Sequence, residues 1–390
     1  MKTNYGTIVL GCGGLGSAAA YWLARRAGSD VLALEQFEIG HVRGASQDHS
    51  RIIRLSYRSA EYTRLTPHTF IAWGTLEAES GVKVVTKTGG LVVALKSNPY
   101  AIAIPEYMQA MDEMGIPYER LDGVEVVKRF PQFRFDEKVD CLYQSETGIA
   151  DAIKGNAAHI GMARHYGATI MERTPVLDIH PLKDGVEVVT DKGIFTSNRL
   201  VVTSGAWTDT LLGKVGLRLN ITVTQEQVTY FATPNLQEFA IGRFPVFIWE
   251  DSEMPVYGFP IYGEVATKIG IDASGPPVTP DTRTFDPDPM REQQVIAWMK
   301  RFIPGFLGPI LYTKTCLYAM PRDRRFVLDA LPGYPHIFTC VGAGHAYKFA
   351  SLFGKILSEL ALDGRTPYPI EPFRIDRPAI TDPNYPAQFR

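Results

Sequence analysis

The sequence predicts an α/β protein in which a smaller second domain, built on an antiparallel sheet, interrupts the first domain. Two domains are expected because 390 residues exceed what one hydrophobic core usually holds. A strand–turn–helix–strand segment opens the chain, and buried strands that run into glycine turns recur near residues 200 and 340. The stretches between them contain short apolar runs punctuated by Gly and Pro, as antiparallel strands do.

The opening segment has the pattern of a dinucleotide-binding unit. After a short apolar run, Gly11, Gly13 and Gly16 form G-x-G-x-x-G. The first glycine permits a tight turn, the second lets the backbone approach a pyrophosphate, and the third lets helix pack on strand. An Ala/Leu-rich helix over residues 17–27 is predicted to end at Gly28. This order of elements is Rossmann-like.

Glu35 completes this unit. It follows a second predicted strand, Val31 to Leu34, and lies close to the spacing from Gly16 at which an acidic side chain binds a ribose hydroxyl. A carboxylate at this position repels the 2′-phosphate of NADP, so NADP is disfavoured. The motif itself does not choose between NAD and FAD. A glycine-rich turn that binds nothing is the alternative.

The composition is that of an ordinary globular protein. The chain is 45% hydrophobic and 21% charged with a net charge of -2, which gives no support for a nucleic-acid partner. No apolar run is long enough to span a bilayer, and a cytoplasmic protein without a membrane partner is expected. The four cysteines are scattered, so neither a metal site nor a disulfide framework is predicted. The basic run Arg322, Arg324 and Arg325, mixed with Asp323, is predicted to be a solvated turn.

Three local predictions concern how the remaining segments fold. Residues 82–95 are expected to form a hairpin-like pair of strands, and helices are expected over about 61–80 and 291–302. Arg51 and Arg54 are three residues apart and are predicted to share one face of a helix. Apolar residues surround the two arginines, so they are expected to be partly buried and to need anions.

Seven sequence blocks occur in an order that is typical of one enzyme group. They are G-x-G-x-x-G at Gly11 to Gly16, "SRIIRLSY" at Ser50 to Tyr57, "SGAW" at Ser204 to Trp207, "YGFP" at Tyr257 to Pro260, "TKIGI" at Thr267 to Ile271, "CLY" at Cys316 to Tyr318, and "GAGHAYKF" at Gly342 to Phe349. With them the chain resembles, nearly end to end, the FAD-dependent amine oxidases of the monomeric sarcosine oxidase and N-methyltryptophan oxidase group. That group lies within the D-amino-acid-oxidase-like superfamily.

The resemblance implies how the chain divides. The Rossmann-like FAD-binding domain is expected to comprise residues 1–85, 150–217 and 322–390. The substrate domain, built on an antiparallel sheet, is expected to comprise residues 86–149 and 218–321.

The resemblance also implies how FAD is held. A free cysteine is more often a packing residue, but in this family the position of Cys316 is a covalent thioether anchor for the flavin. Strand alternation is expected to place Lys314, Cys316 and Tyr318 on one face. The full predicted cofactor-binding set is Gly11, Gly13, Gly14, Gly16, Glu35, Ser50, Arg51, Cys316, Gly342, Gly344, His345 and Lys348.

For the substrate, the resemblance implies a carboxylate held by Arg54 and Lys348, since a planar fork and a point charge together suit an amino-acid carboxylate. Lys268 corresponds to a lysine that activates oxygen on the other face of the flavin; an exposed strand lysine is the alternative. The remaining residues predicted to be catalytic are Arg51 against the flavin, the pocket tyrosines Tyr257 and Tyr318, and Asp272.

Four departures from the small-substrate sarcosine oxidases touch the amine end of the pocket. Those enzymes carry histidine where this chain has Asp272, glutamate near Ser59, histidine near Gln47, and a Gly-Phe pair in place of Ala346 and Tyr347. Asp272 is therefore expected either to favour a substrate with a second basic group or to pair with a neighbour.

The sequence thus predicts an FAD-dependent oxidase of N-methyl or other secondary-amine amino acids, sarcosine first, that releases hydrogen peroxide. The expected partners are a small amino-acid substrate and O2, and the chain is expected to be a monomer with no metal. The alternatives are an oxidase of a cyclic imino acid such as pipecolate or of a biosynthetic imine, a flavin dehydrogenase that uses a carrier, and a non-catalytic nucleotide-binding protein.

Overall fold

The computed structural model describes residues 2–389, which form three sheets flanked by helices. The strands are β1 Asn4–Leu10, β2 Val31–Leu34, β3 Arg51–Ile53, β4 Val85–Lys87, β5 Gly90–Leu95, β6 Glu119–Asp122, β7 Val139–Gln144, β8 Gly148–Ala150, β9 Thr169–Met171, β10 Val176–Leu182, β11 Gly185–Thr190, β12 Gly193–Val202, β13 Thr222–Phe231, β14 Val246–Glu250, β15 Val256–Phe259, β16 Thr267–Ile271, β17 Pro277–Val278, β18 Ile310–Met320, β19 Val327–Leu331 and β20 Tyr334–Val341.

The α-helices are α1 Gly14–Ala27, α2 Ala60–Thr63, α3 Thr66–Ser80, α4 Ala103–Asp112, α5 Gly123–Arg129, α6 Ala152–His165, α7 Thr208–Leu212, α8 Pro289–Phe302, α9 Ala350–Asp363 and α10 Pro378–Thr381. Single 3-10 turns cover Gly28–Asp30, Pro99–Ile102, Gly205–Trp207, Gly213–Val215, Pro304–Phe306, Tyr347–Phe349 and Glu371–Phe373. Within residues 2–389, no helix combines the length and apolar character that a membrane crossing needs.

The first sheet is the predicted Rossmann-like core. Strand β1 lies between β12 and β2 and is parallel to both, and β20 runs parallel to β12 on its other side. All four residues of β2 are buried, as expected for a strand covered on both faces. Helices α6 and α9 pack on α1. The carboxyl ends of β1, β2, β12 and β20 therefore meet at one edge of the sheet.

The second sheet has nine strands, all of which lie between residues 90 and 320. Its longest pairing is antiparallel, between β13 and β18, and β16 lies on the other edge of β13. The sheet is not purely antiparallel, because β14 runs parallel to β5. Strand β16 carries Lys268 and strand β18 carries Cys316, as the sequence predicted.

The third sheet, with order β3-β8-β4, corrects two sequence predictions. Arg51 lies in strand β3 and Arg54 follows that strand, so the two arginines do not share a helix face. The β-branched pair Ile52 and Ile53 is buried against β8, and it favours a strand over a helix. Residues 82–95 are not a hairpin, since β4 pairs with β8 while β5 joins the second sheet.

Other local predictions are confirmed. Gly28 ends helix α1, and α8 matches the expected helix over 291–302. The helix expected over 61–80 is interrupted, because α2 ends at Thr63 and α3 begins at Thr66. The domain boundaries stay a prediction, although every strand of the first sheet falls within the segments assigned to FAD binding.

Candidate active site

A cavity of about 750 Å³ runs from the glycine loop after β1 to the face formed by β16 and β18. Both large sheets contribute to its walls. Of the residues that the sequence singled out, all except Gly16 line this cavity: Gly11, Gly13, Gly14, Glu35, Ser50, Arg51, Arg54, Tyr257, Lys268, Asp272, Cys316, Tyr318, Gly342, Gly344, His345 and Lys348. Residues from widely separated parts of the chain are thereby brought to one site.

The glycine loop forms one end of the cavity. Gly11 adopts φ 89°, a conformation that favours glycine. Gly16 lies behind the loop, where an added Cβ would be 1.7 Å from the carbonyl oxygen of Gly11. Gly16 therefore permits the close packing of α1 on β1, which is the role of the third glycine in the motif.

Glu35 is buried beside this loop and faces the cavity. Its carboxylate accepts hydrogen bonds from the backbone N–H groups of Cys12 at 2.8 Å and Phe37 at 3.0 Å. Burial opposes ionisation, but His41 and these N–H groups hold the pKa of Glu35 below its ordinary value. Glu35 is thus a fixed anionic acceptor at the position where a ribose hydroxyl would bind.

Two cations meet at the opposite end of the cavity. The Arg54 guanidinium lies 4.5 Å from the centroid of the Tyr57 ring, and the Lys348 ammonium lies 5.5 Å from the same centroid. Arg54 donates to the Tyr107 hydroxyl at 3.0 Å, and Lys348 donates to the carbonyl oxygen of His345 at 3.0 Å. Burial, and next the Arg54 charge, lower the pKa of Lys348 well below its ordinary value. Such a pair of like charges, with Arg54 half-buried and Lys348 buried, favours an anionic ligand.

Arg51 forms hydrogen bonds to the loop that precedes it. Its guanidinium donates to the carbonyl oxygens of Ala45 and Ser50 at 2.8 Å and of Gln47 at 2.5 Å. The side chain thus holds residues 45–50 in place along the cavity wall. Lys268 reaches the same loop, since its ammonium donates to the carbonyl oxygen and hydroxyl of Ser50 at 3.0 Å each.

Cys316 lies on the cavity wall in the middle of β18. Its surroundings are cationic, because the charges of Arg51, Lys268 and Arg283 all favour its thiolate. Burial dominates, however, and raises the pKa of the Cys316 thiol to about 11. The other three cysteines, Cys12, Cys141 and Cys340, are buried.

The two predicted pocket tyrosines lie near Asp272. The phenols of Tyr257 and Tyr318 interact electrostatically with each other and with the Asp272 carboxylate. Asp272 forms an ion pair of 2.7 Å with Arg324. Of the two interpretations of Asp272 that the sequence allowed, pairing with a neighbour is therefore the one that the structure shows.

Arg324 overturns the prediction of a solvated turn. Its side chain is 18% exposed, its φ is 51°, and besides Asp272 it donates to the carbonyl oxygen of Phe389 at 2.9 Å. The charged run around it suggested exposure, whereas its partners lie 52 and 65 residues away in the chain. No local signal could have placed it behind the cavity.

Asp48, Glu250 and Ser46 are cavity residues that sequence reasoning missed. Glu250 accepts from the hydroxyl of Tyr107 at 2.7 Å, and Ser46 accepts from the N–H of Gly14 at 2.8 Å. Asp48 lies in the block next to "SRIIRLSY", but its φ of 82° and its lysine partners depend on strands far along the chain.

The residues present fit an FAD molecule. The cavity is lined by the glycine loop at Gly11, Gly13 and Gly14, and a Cβ added to Gly14 would meet the Tyr347 ring at 2.8 Å, so the close contact there depends on glycine. Glu35 suits an adenosine ribose at one end, and a cluster of cationic side chains lies at the other. Within residues 2–389, no three His, Cys, Asp or Glu side chains are placed to hold a metal ion.

The fold and this site define a class of protein, namely an α/β protein with a Rossmann-like sheet and an FAD-sized cavity walled by a second sheet. The chain belongs to the FAD-dependent oxidoreductase (DAO) family, whose sequence model matches residues 7–360.

Sarcosine oxidases and an amino acid oxidase are among the proteins that are similar to this chain. The chain is 32% identical to monomeric sarcosine oxidase of Bacillus sp. (strain B-0618), over 98% of each chain. It is 34% identical to monomeric sarcosine oxidase of Streptomyces avermitilis, over 95% of this chain and 97% of the other. The solved structure of NikD, an unusual amino acid oxidase essential for nikkomycin biosynthesis, superimposes with a TM-score of 0.85, at 27% identity and over 96% of this chain and 98% of that one.

Proposed function

We propose that this protein is an FAD-dependent oxidase of N-methyl or other secondary-amine amino acids, with sarcosine as the first substrate to test. The observation that carries the proposal is the pair of cations, half-buried Arg54 and buried Lys348, which share the cavity of the glycine loop. The names of the relatives, sarcosine oxidase and N-methyl-L-tryptophan oxidase, support the same substrate class.

The carboxylate of the substrate binds between Arg54 and Lys348. The Arg54 guanidinium has five N–H donors, and one of them donates to the Tyr107 hydroxyl. Its other donors and the ammonium of Lys348 can therefore form charge-assisted bonds to two carboxylate oxygens. Such a site holds the amino acid by its acid group and leaves its amine free to face the reacting ring.

Bound FAD would supply the two-electron oxidation of the C–N unit and the transfer of those electrons to O2, so that sarcosine, water and O2 would give glycine, formaldehyde and hydrogen peroxide. The residues of the chain bind the substrate and orient it. Tyr257 and Tyr318 enclose the amine end of the pocket, and Lys268 supplies a buried positive charge for the reaction with oxygen.

Cys316 is the proposed covalent anchor for the flavin. It is half-buried in the cavity wall, whereas the other cysteines are buried, and Cys141 and Cys340 do not reach the cavity. Thioether formation needs the thiolate, and the charge of Arg51 is the largest contribution that favours it.

The proposed state is a cytoplasmic monomer. The printed names of the bacterial relatives include the word monomeric, and the four cysteines are all free, which suits a reducing compartment.

A panel of amines, read by peroxide formation, tests the function. We expect peroxide with sarcosine or another secondary-amine amino acid, such as N-methyltryptophan or pipecolate. Sarcosinamide is the matched control, because it keeps the amine but lacks the carboxylate. Equal turnover of sarcosine and sarcosinamide would remove the basis of the carboxylate site, and a panel without peroxide but with reduction of an artificial acceptor would identify a dehydrogenase.

A further inference from the structure

Asp48 is a buried carboxylate in an unusual backbone conformation. It is 4% exposed and adopts φ 82°, in the left-handed region that residues with a side chain rarely occupy. One carboxylate oxygen accepts from the Tyr230 hydroxyl at 2.6 Å and from Lys314 at 3.1 Å. The other lies 2.6 Å from the ammonium of Lys268 and 3.9 Å from the guanidinium of Arg51.

Lys268 has one carboxylate partner. Within residues 2–389, Asp48 is the only carboxylate that lies within ion-pair distance of its ammonium. The neutral contacts of Lys268 are the Ser50 oxygens and the rings of Phe259, at 4.7 Å, and Tyr230, at 5.6 Å. A buried ammonium without a counter-charge gives up its proton readily.

The charged and titratable groups around this pair come from three strands. Arg51 projects from β3, Tyr230 from β13, and Tyr312, Lys314 and Cys316 from β18. Burial lowers the pKa of Lys268 to about 8, Arg51 acts in the same direction, and Asp48 is the largest contribution that opposes them. Three cations thus compete for one carboxylate.

We propose that Asp48 is a positioning residue for Lys268, which keeps the ammonium protonated and fixed against Ser50 and so sets the pH range over which this cation assists the reaction with oxygen. The inference rests on the proposed role of Lys268. It explains why a carboxylate occupies a strained, buried position beside a lysine that could otherwise become neutral.

The proton on Lys268 can be observed directly. Lysines labelled with ¹³C at Cε report protonation of the adjacent amine by NMR, and the signal that disappears in Lys268→Met identifies Lys268. We expect its titration to move to lower pH in Asp48→Asn and in Asp48→Gly. The glycine variant tolerates the positive φ, so the test survives if the asparagine variant fails to fold.

The matching kinetic test uses enzyme whose flavin has been reduced with dithionite, so that it does not depend on the substrate. We expect reoxidation by oxygen at pH 8 to be about fivefold slower in Asp48→Asn than in wild type, because lowering the pKa of Lys268 by about one unit from about 8 reduces its protonated fraction at that pH from about one half to about one tenth. The difference should shrink towards pH 6, where Lys268 is protonated in both proteins.

Lys314→Met is the matched control, because it removes a competing cation from Asp48 and leaves the carboxylate for Lys268. Its Lys268 titration should move to higher pH, opposite to Asp48→Asn. An unchanged titration in both Asp48 variants would overturn the proposal, as would slower reoxidation by the same factor at every pH. Wild-type reoxidation in Lys268→Met would instead refute the proposed role of Lys268, while the NMR titration would still decide whether Asp48 controls its proton.

Discussion

At the scale of single residues, the proposed carboxylate site assigns Lys348 a role that can be tested. It is 8% exposed, and burial together with Arg54 lowers its pKa well below the ordinary value. A carboxylate binds the protonated form, so the protein must take up a proton wherever free Lys348 is partly neutral. We expect the affinity for acetate to fall as the pH rises, and proton uptake to appear in calorimetric titrations that compare buffers of different ionisation enthalpy.

Lys348→Met keeps the stem of the side chain and removes the charge. A charge-assisted bond contributes roughly 1.5–3 kcal/mol, so acetate should bind about tenfold more weakly or worse. The proton uptake should vanish as well. Lys183→Met, at an exposed lysine in the turn after β10, is the control. If Lys348→Met binds acetate as wild type does, another group holds the carboxylate.

Sequence alone could identify candidate site residues at Arg54, Lys348, Lys268 and Cys316, because each lies in a short block of characteristic sequence. Asp48 and Arg324 could not, since what defines them is the partner that folding brings to them. The ion pairs Asp48–Lys268 and Asp272–Arg324 join residues from different strands and turns. The charged residues around Arg324 predicted that its side chain would be exposed to solvent, and that prediction was wrong.

At the scale of elements, the contact between β1 and α1 depends on one glycine. A Cβ on Gly16 would lie 1.7 Å from the backbone oxygen of Gly11, which cannot rotate away. Gly16→Ala should therefore push α1 off β1, lower the melting temperature strongly and abolish dinucleotide binding. Thermal unfolding followed by circular dichroism measures the first effect.

Gly161→Ala provides the matched comparison on helix α6. No atom lies within 4 Å of a Cβ added at Gly161, and alanine is about 0.8–1.0 kcal/mol more favourable than glycine inside a helix. This variant should be slightly more stable than wild type. Equal stability of the two variants would mean that close packing at Gly16 is not what the motif provides here.

Local pattern predicted β1, α1, β2 and α8 well, because each is specified by neighbouring residues. It failed for residues 51–54, where three-residue spacing suggested a helix while the β-branched pair Ile52 and Ile53 joined a sheet. It failed again for residues 82–95, since two adjacent apolar runs say nothing about which sheet each one joins. Which strands pair with each other depends on residues that are far apart in the sequence.

At the scale of the whole molecule, the cavity couples the two large sheets. Glu35 at one end belongs to the first sheet's loops, whereas Lys268 and Cys316 at the other end belong to the second sheet. A ligand that contacts both ends should stabilise the protein as a unit. Cys316→Ser makes this measurable, because we expect FAD to bind to it reversibly, whereas the acid-precipitated wild-type protein should stay yellow.

In Cys316→Ser the apparent free energy of unfolding should rise by about 2.7 kcal/mol when free FAD is about 100 times its Kd. Calorimetry should show a melting temperature that increases with the FAD concentration. FMN contains the same isoalloxazine ring but lacks the adenosine that we expect to bind beside Glu35, so it should stabilise much less at equal concentration. NADP should give no shift, because its 2′-phosphate meets a buried carboxylate whose pKa is held below its ordinary value. Equal stabilisation by FMN and FAD would show that the Glu35 end of the cavity contributes nothing, and flavin released from the acid-treated wild-type protein would refute the thioether at Cys316.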